Sequence, residues 1–412
     1  MRTAGTVRPV AALTSVDDAL AQVLARAHPL PAEEVRLDAA AGRILAADAL
    51  APVGLPLFAS SAMDGFAVRS ADLPGTLPIV GHIAAGRPAA RPLGTGEAMG
   101  IATGGVVPDG ADTVVPIEVV TVGDDRVEIP EALATGANVR APGRDVAAGD
   151  RVAAVGATLT PARLGALAAT GLAGVSCARR PRVTVLTTGT ELRTPGERLR
   201  PGEIYESNGL MLEALLSDAG AEVTRLHPVT DDPGEHRAAL ERALETDVLV
   251  TSGGVSVGPH DLVRQTLAHL GVEEVFWGVA MRPGKPLAFA VRGSTLVFGL
   301  PGNPVSALVG ALLFVRPAVR ALQGDPRPGP AFRGGSLATP VERSRARDEF
   351  VRVVVTEDED GTALLEPLAG QESHMIATAA GATGIARVGA GAGTAPAGAR
   401  VPYLRLDGAT GA

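Results

Sequence analysis

The chain has one cysteine, Cys177, in 412 residues. That excludes an intramolecular disulfide and any metal or iron–sulfur site built from several thiolates. Cys177 reads instead as a small apolar side chain, buried or half-buried. Long hydrophobic runs are also lacking. The longest, Val305 to Val315, is well short of the ~20 residues that a membrane span needs. The first residues, MRTAGTVRPVAALTS, hold no sustained apolar stretch, so no secretion signal is expected. Positive charge is in the minority: 37 Lys and Arg face 45 Asp and Glu, for a net charge of −8. This argues against nucleic acid as the main partner. No repeat of solenoid type occurs. The expectation is a cytoplasmic protein with neither membrane nor nucleic acid as partner.

What is present is glycine and proline, 51 and 32 residues. Together they are about a fifth of the chain, below the roughly 25–30% that would suggest disorder, and they imply many turns and short elements. The length exceeds the about 250–300 residues that one core usually supports, so several domains are expected. Residues 15–28 carry a helical pattern with Ser15 as cap, and 37–50 (LDAAAGRILAADAL) a second one. Short β-like runs separated by Gly, Pro and Asp turns follow (FAVRS, LPIVGHI, AMGIAT, DTVVPIEVV, DRVEIP). Residues 160–177 return to a helical pattern. From about Pro181 strands alternate with helices, which implies a mainly parallel sheet covered on both faces. Beyond a linker-like stretch at 324–335, strand-like pieces close the chain with no clear helix.

Three glycine turns crowd residues 248–304: TSGGVSVG at 251–258, RPGKP at 282–286 and LPGNP at 300–304. Two of them follow apolar runs that read as strands, VLVTS and TLVFGL, and both lead into helical patterns. Such a turn gathers backbone N–H groups at the positive end of a helix, which suits an anion. Arg282 and Lys285 add planar and mobile positive charge between the turns. The pattern predicts a pocket for a phosphorylated or oxyanionic small molecule.

Three carboxylates fall at the ends of neighbouring strands: Glu191, Asp231 and Asp261. Ligands of such sheets bind beyond the carboxyl ends of the strands, and hard oxygens there suit Mg²⁺ against phosphate. Taken singly, Asp231 and Asp261 read better as helix caps; their convergence with the basic MRPGKP loop is what favours the ligand reading. Asn303-Pro304 is a helix start, with Asn as cap and Pro in the first turn. Asp64-Gly65, Thr103-Gly104 and Arg144-Asp145 are, taken singly, ordinary turns.

SSAMDGFA, IATGGVVPDGADTVV, GRDV, TTGTEL, SGGVSVGPHD, RPGKP and LPGNPVSA occur in this order over most of the chain. The ordered set, from about residue 15 to 375, resembles the molybdopterin molybdenumtransferase family of the MoeA type. Its animal counterpart is the C-terminal part of gephyrin. The resemblance implies an α/β multidomain fold with a central doubly wound molybdopterin-binding domain at 181–325. A helical or linker domain would be made of 1–58 and 139–180, with a β domain inserted at 59–138 and a small β domain at 326–412. It further implies a homodimer that inserts molybdate into adenylylated molybdopterin with Mg²⁺, releasing molybdenum cofactor and AMP. The adenylyltransferase acting upstream is an implied partner.

Carried over residue by residue, the resemblance implies catalytic roles for Asp64, Asp145, Glu191, Asp231, Asp261 and Lys285, with Glu191 and Asp261 on the metal. It implies substrate contacts from Thr103, Gly253, Gly254, Ser256, Arg282, Pro301, Gly302, Asn303, Pro304, Arg352 and Ser373. The chain departs from the family pattern at four points. Phe66 replaces a usual Tyr, Gly278 a frequent basic residue and Arg282 a common Lys, and TTGTEL lacks an acidic residue before Glu191. Two other activities compete with molybdate insertion. A molybdopterin adenylyltransferase would use only a domain like 181–320, and a gephyrin-like scaffold would be indifferent to Asp64, Asp145 and Lys285.

Overall fold

The computed structural model describes residues 13–229, 233–253, 262–357 and 360–406. The chain divides into two compact units: Met1–Glu33, Gly42–Ala46 and Cys177–Ala412 form one, and Glu34–Ala41 with Ala47–Ser176 the other.

The first unit contains a six-stranded sheet in the order Glu222–Val229, Arg182–Thr188, Val248–Ser252, Thr295–Leu300, Ala288–Arg292, Glu273–Trp277. The first four strands are parallel; Ala288–Arg292 runs antiparallel to Thr295–Leu300, and Glu273–Trp277 antiparallel to Ala288–Arg292. VLVTS and TLVFGL are buried along their whole length, as expected where helices cover both faces. The alternation of a strand divides the core. Val248 and Val250 pack with Leu212 and Leu216 of the helix Asn208–Asp218. Leu249 faces the other way, onto Leu240, Val263 and Leu267. The helical segment Pro304–Leu322 contains a π turn at Ala311–Val315. By length and composition it could cross a membrane, but 83% of its apolar window is buried inside the protein, as a core helix is.

A second sheet in this unit runs Met281–Arg282, Asp348–Glu357, Ala363–Pro367, Arg333–Leu337, Arg400–Arg405, Gly384–Val388. Asp348–Glu357 also pairs with Gly384–Val388, so the last five strands close on themselves. Met281–Arg282 joins this sheet in parallel to Asp348 and Glu349, which ties the RPGKP loop to the C-terminal barrel.

The second unit is built on a six-stranded sheet: Thr113–Pro116, Gly65–Val68, Ala98–Ile101, Gly75–Ile83, Arg126–Ile129, Thr121–Val122. Both faces are buried. Phe66 and Val68 enter one cluster with Val115 and Val127, and Ala67 enters another with Met99 and Val114.

Three local expectations change. Residues 37–50 are not a helix: a 3₁₀ turn at Leu37–Ala39 is followed by Gly42 at φ +72° and a short strand, Ala49–Leu50. Alanine content favours helix, but the left-handed glycine interrupts it. The helix foreseen over 160–177 stops at Ala169, where Gly171 at φ +86° ends it, and Gly174–Ala178 is a strand. The C-terminal region does hold one short helix, Ile376–Ala379.

Candidate active site

At the carboxyl edge of the parallel sheet two turns meet. The backbone N–H of Gly253 donates to Leu300 O at 3.1 Å, and a Cβ on Gly302 would lie 3.7 Å from Gly253 Cα. Gly253 has φ +92°, and a Cβ there would come within 2.6 Å of Thr188 O, so only glycine fits. Asn208 is buried at the start of its helix and laces the turns together. Its Nδ2 donates to Ser252 Oγ at 2.9 Å and to Gly302 O at 2.8 Å. Ser252 Oγ in turn donates to Pro301 O at 3.2 Å. The Thr187 hydroxyl, also buried at this edge, has no partner among the described residues.

The C-terminal barrel brings a cation to the second turn. Asn303 occupies the cap position of the helix starting at Pro304, but its side chain makes no cap bond. Instead, Asn303 Nδ2 donates to Ser373 Oγ at 2.8 Å, and Val305 N donates to Ser373 O at 3.1 Å. Arg352 reaches the segment just before Ser373. Its Nη2 donates to Gly370 O at 2.5 Å and Glu372 O at 3.4 Å, while Gln371 brackets its backbone on both sides. Arg352 is only 1% exposed, yet Nε and Nη1 have no partner among the described residues. Burial pulls its pKa down, opposed by the carboxylate of Glu372. A dry guanidinium with unmade donors costs folding free energy and offers the N–H groups of two nitrogens to an anion.

Arg282 is exposed and sits 3.5 Å from Glu349, its neighbour across the strand pairing. Glu349 is mostly buried, and desolvation raises its pKa against the pull of Arg282. Lys285 is exposed; Gly284 beside it has φ +108°. Glu191 is exposed after its strand, and its carboxylate has no partner among the described residues. Among those residues no group of three or more His, Cys, Asp or Glu could hold a metal. Asp231, Gly254, Ser256 and Asp261 lie outside the described residues.

In the second unit the SSAMDG and ATGG loops are bound to each other. Ser61 N donates to Gly105 O, and Gly104 N to Ser61 O, both at 2.9 Å. Asp64 Oδ1 accepts from Thr103 N at 2.6 Å and from Thr103 Oγ1 at 2.9 Å. The backbone bond and then the hydroxyl hold the Asp64 carboxyl below its usual pKa. A Cβ on Gly65 would fall 2.0 Å from Val115 O, which explains the glycine. Arg140 pairs in register with Ser60, and Arg140, Arg144, Asp145, Leu55 and Pro56 line an open cavity of about 530 Å³. Thus Asp64 with Thr103, and Asp145 with two arginines, flank one short strand, Ser60–Ser61.

Three family descriptions match in sequence order: the MoeA N-terminal region (domains I and II) over 14–171, a probable molybdopterin-binding domain over 184–321, and the MoeA C-terminal region (domain IV) over 335–406. A molybdopterin molybdenumtransferase 2 of Mycobacterium tuberculosis is 39% identical over 84% of this chain and 89% of its own length. The molybdopterin molybdenumtransferase of Haemophilus influenzae is 36% identical over 88% and 91%. The chain belongs to the MoeA family. A crystal structure of the molybdopterin biosynthesis MoeA protein of Pyrococcus horikosii superposes with a TM-score of 0.81 at 30% identity, covering 96% of this chain and all of that one.

Two departures from the MoeA pattern have structural reasons. Gly278 has φ +88° and bonds through N to Leu287 O and through O to Thr14 N; a Cβ there would meet Leu13 at 2.9 Å. Phe66 is buried in an apolar cluster, where a hydroxyl would need a partner. Sequence reasoning missed Asn208, Glu349 and Gln371, whose importance lies in long-range contacts, and Thr187, whose buried hydroxyl is left without a partner among the described residues. One available signal went unread: of the 37 basic residues Lys285 is the only lysine.

Proposed function

We propose that the chain is a molybdopterin molybdenumtransferase, taking adenylylated molybdopterin and molybdate to molybdenum cofactor and AMP. The observation that carries this reading is Arg352, buried with two unmade donors beside the Ser373–Asn303 contact. Backbone N–H groups of the turn at Gly302 hold the phosphates, with Asn208 fixing its spacing from the Gly253 turn. Arg352, Arg282 and Lys285 collect the molybdate dianion, and Ser373 orients it. The carboxylates of Asp64 and Asp145 orient donors on the substrate. Water attacks the phosphoanhydride between pterin phosphate and AMP; a new P–O bond forms as the bridging bond breaks, leaving AMP and the pterin phosphate.

Glu191, a hard oxygen donor without a partner among the described residues, fits Mg²⁺. With Asp261 it would hold the ion, which would neutralise charge on the phosphate oxygens. The active form is a cytoplasmic homodimer, and it takes its substrate from the upstream adenylyltransferase. The deciding assay is AMP release from adenylylated molybdopterin with and without molybdate. Release that requires molybdate is the expected result. Release indifferent to molybdate, or none at all, would reject the reading. Sedimentation as a monomer at micromolar concentration would reject the dimer alone.

A further inference from the structure

The sheet of the first unit carries a second cavity on the face opposite Asn208, under the helix Leu262–His269. Its floor is a row read straight across four strands: Thr251 pairs with Gly299, Gly299 with Ala288, and Ala288 with Trp277. One row back, Leu249 pairs with Val297, and those side chains pack tightly against Val263 and Leu267 of the helix. In the first row the two middle positions carry no side chain or a single methyl. The helix therefore stands off the sheet there, and a slot of about 280 Å³ remains. Its walls are apolar apart from the Thr251 hydroxyl at the inner end and a charged pair at the mouth. That pair is Arg264, bonded to Glu274 by Nε at 2.7 Å and Nη2 at 2.8 Å, with its guanidinium 5.8 Å from the centre of the Trp277 ring. The cation thus steadies the indole as one wall of the slot.

The position is informative. Thr251 stands two residues before Gly253, and Gly299 three before Gly302, so the slot opens from the same strand ends as the phosphate turns. Its volume is at the lower limit of ligand pockets, ~300 Å³, enough for one ring system and too small for a whole nucleotide. A slot of this volume, floored by small residues and walled by an indole, suits a flat ring.

We infer that this slot is the binding site for a flat fused heteroaromatic ring of the substrate. The inference rests on the molybdenumtransferase reading, whose substrate carries two such rings, pterin and adenine. Trp277, the only tryptophan in the chain, stacks on the ring or borders its edge. Ala288 and Gly299 set specificity by being small.

The test uses the full-length protein and the emission of its single tryptophan, corrected for absorption by the probe. AMP and 6-methylpterin are titrated separately. One of them is expected to change Trp277 emission saturably, and which one does so identifies the half of the substrate that occupies the slot. Ala288→Leu fills the floor and should weaken that binding roughly tenfold or more, while calorimetric binding of inorganic molybdate is unchanged. Ala288→Val replaces it should the leucine variant melt early. The inference is overturned if neither probe alters the emission, or if both Ala288 variants, folded, bind the ring as the parent does. Loss of molybdate-dependent AMP release in the parent, with ring binding intact, would count against the function and not against the slot.

Discussion

Arg352 and Asp64 are charged groups prepared in opposite ways. Arg352, in the first unit, is almost fully buried and leaves two N–H donors unmade. Asp64, in the second, is exposed and already accepts two hydrogen bonds from Thr103. The difference separates two kinds of preorganisation. An unsatisfied buried cation lowers stability, and an arriving anion recovers that free energy, so binding is strong and selective for charge. A satisfied exposed carboxylate costs the fold little. It is held ionised and fixed in direction, so it meets its ligand without reorganising.

The largest effect should come from Arg352→Met, which keeps the volume and removes the charge. Molybdate-dependent AMP release should fall about 10²–10³-fold, the scale for deleting one essential donor. Replacing a buried charge by an apolar side chain is often neutral or stabilising. The melting temperature should therefore hold or rise. A collapse in melting temperature with activity per folded molecule preserved would make Arg352 a structural residue and erase the contrast with Asp64.

Next is Gly253→Ala. The new methyl would meet Thr188 O at 2.6 Å, in a backbone with φ +92°. A destabilisation of about 1–3 kcal/mol is expected in denaturant unfolding. The KM for adenylylated molybdopterin should rise because the phosphate turn shifts. An unchanged KM would mean that phosphate is held elsewhere.

The two regions also differ in how far they could be read from sequence. Local chemistry was legible: the strand–turn–helix pattern at VLVTS and TLVFGL, the β texture of the inserted sheet and the anion turns follow from periodicity and glycine placement. What depends on contacts far apart in the chain was not. Asn303 looked like a cap, and only the fold sends its side chain to Ser373, 70 residues on. Arg352 lies in an unremarkable strand, FVRVVVTE, and its unmade donors are a property of packing. The helix expected over 37–50 failed because an alanine-rich pattern cannot outweigh a left-handed glycine at Gly42.

A smaller effect on the fold is expected for Asp64→Asn, which keeps an oxygen for Thr103. Thr103 N–H and hydroxyl lower the pKa of Asp64. A lowered carboxyl contributes stability that is present above the ordinary aspartate value, ~3.9, and is lost as pH falls through the folded value. The variant should melt within ~1–2 °C of the parent at pH 7 and coincide with it in strong acid. Turnover should drop at least tenfold, since the anion is gone. Equal turnover would reduce Asp64 to a loop fastener, matching the scaffold alternative.

The smallest expected effect concerns Glu349, the buried anion one strand pairing from Arg282. Burial raises its pKa, and Arg282 at 3.5 Å compensates only in part. For a raised carboxyl the sign reverses. The native state prefers the protonated form, so stability is lost as pH rises from the ordinary glutamate value, ~4.3, through the raised one. Glu349→Gln removes that penalty. It should melt slightly above the parent at pH 8 and with it at pH 4. It also releases Arg282 from a competing carboxylate, so the molybdate concentration for half-maximal AMP release should fall about two- to threefold, a change below 1 kcal/mol. If the variant instead melts lower at pH 8, the Arg282–Glu349 pair is net stabilising. The first unit would then hold one cation satisfied by protein and one left open, which narrows the molybdate contact to Arg352.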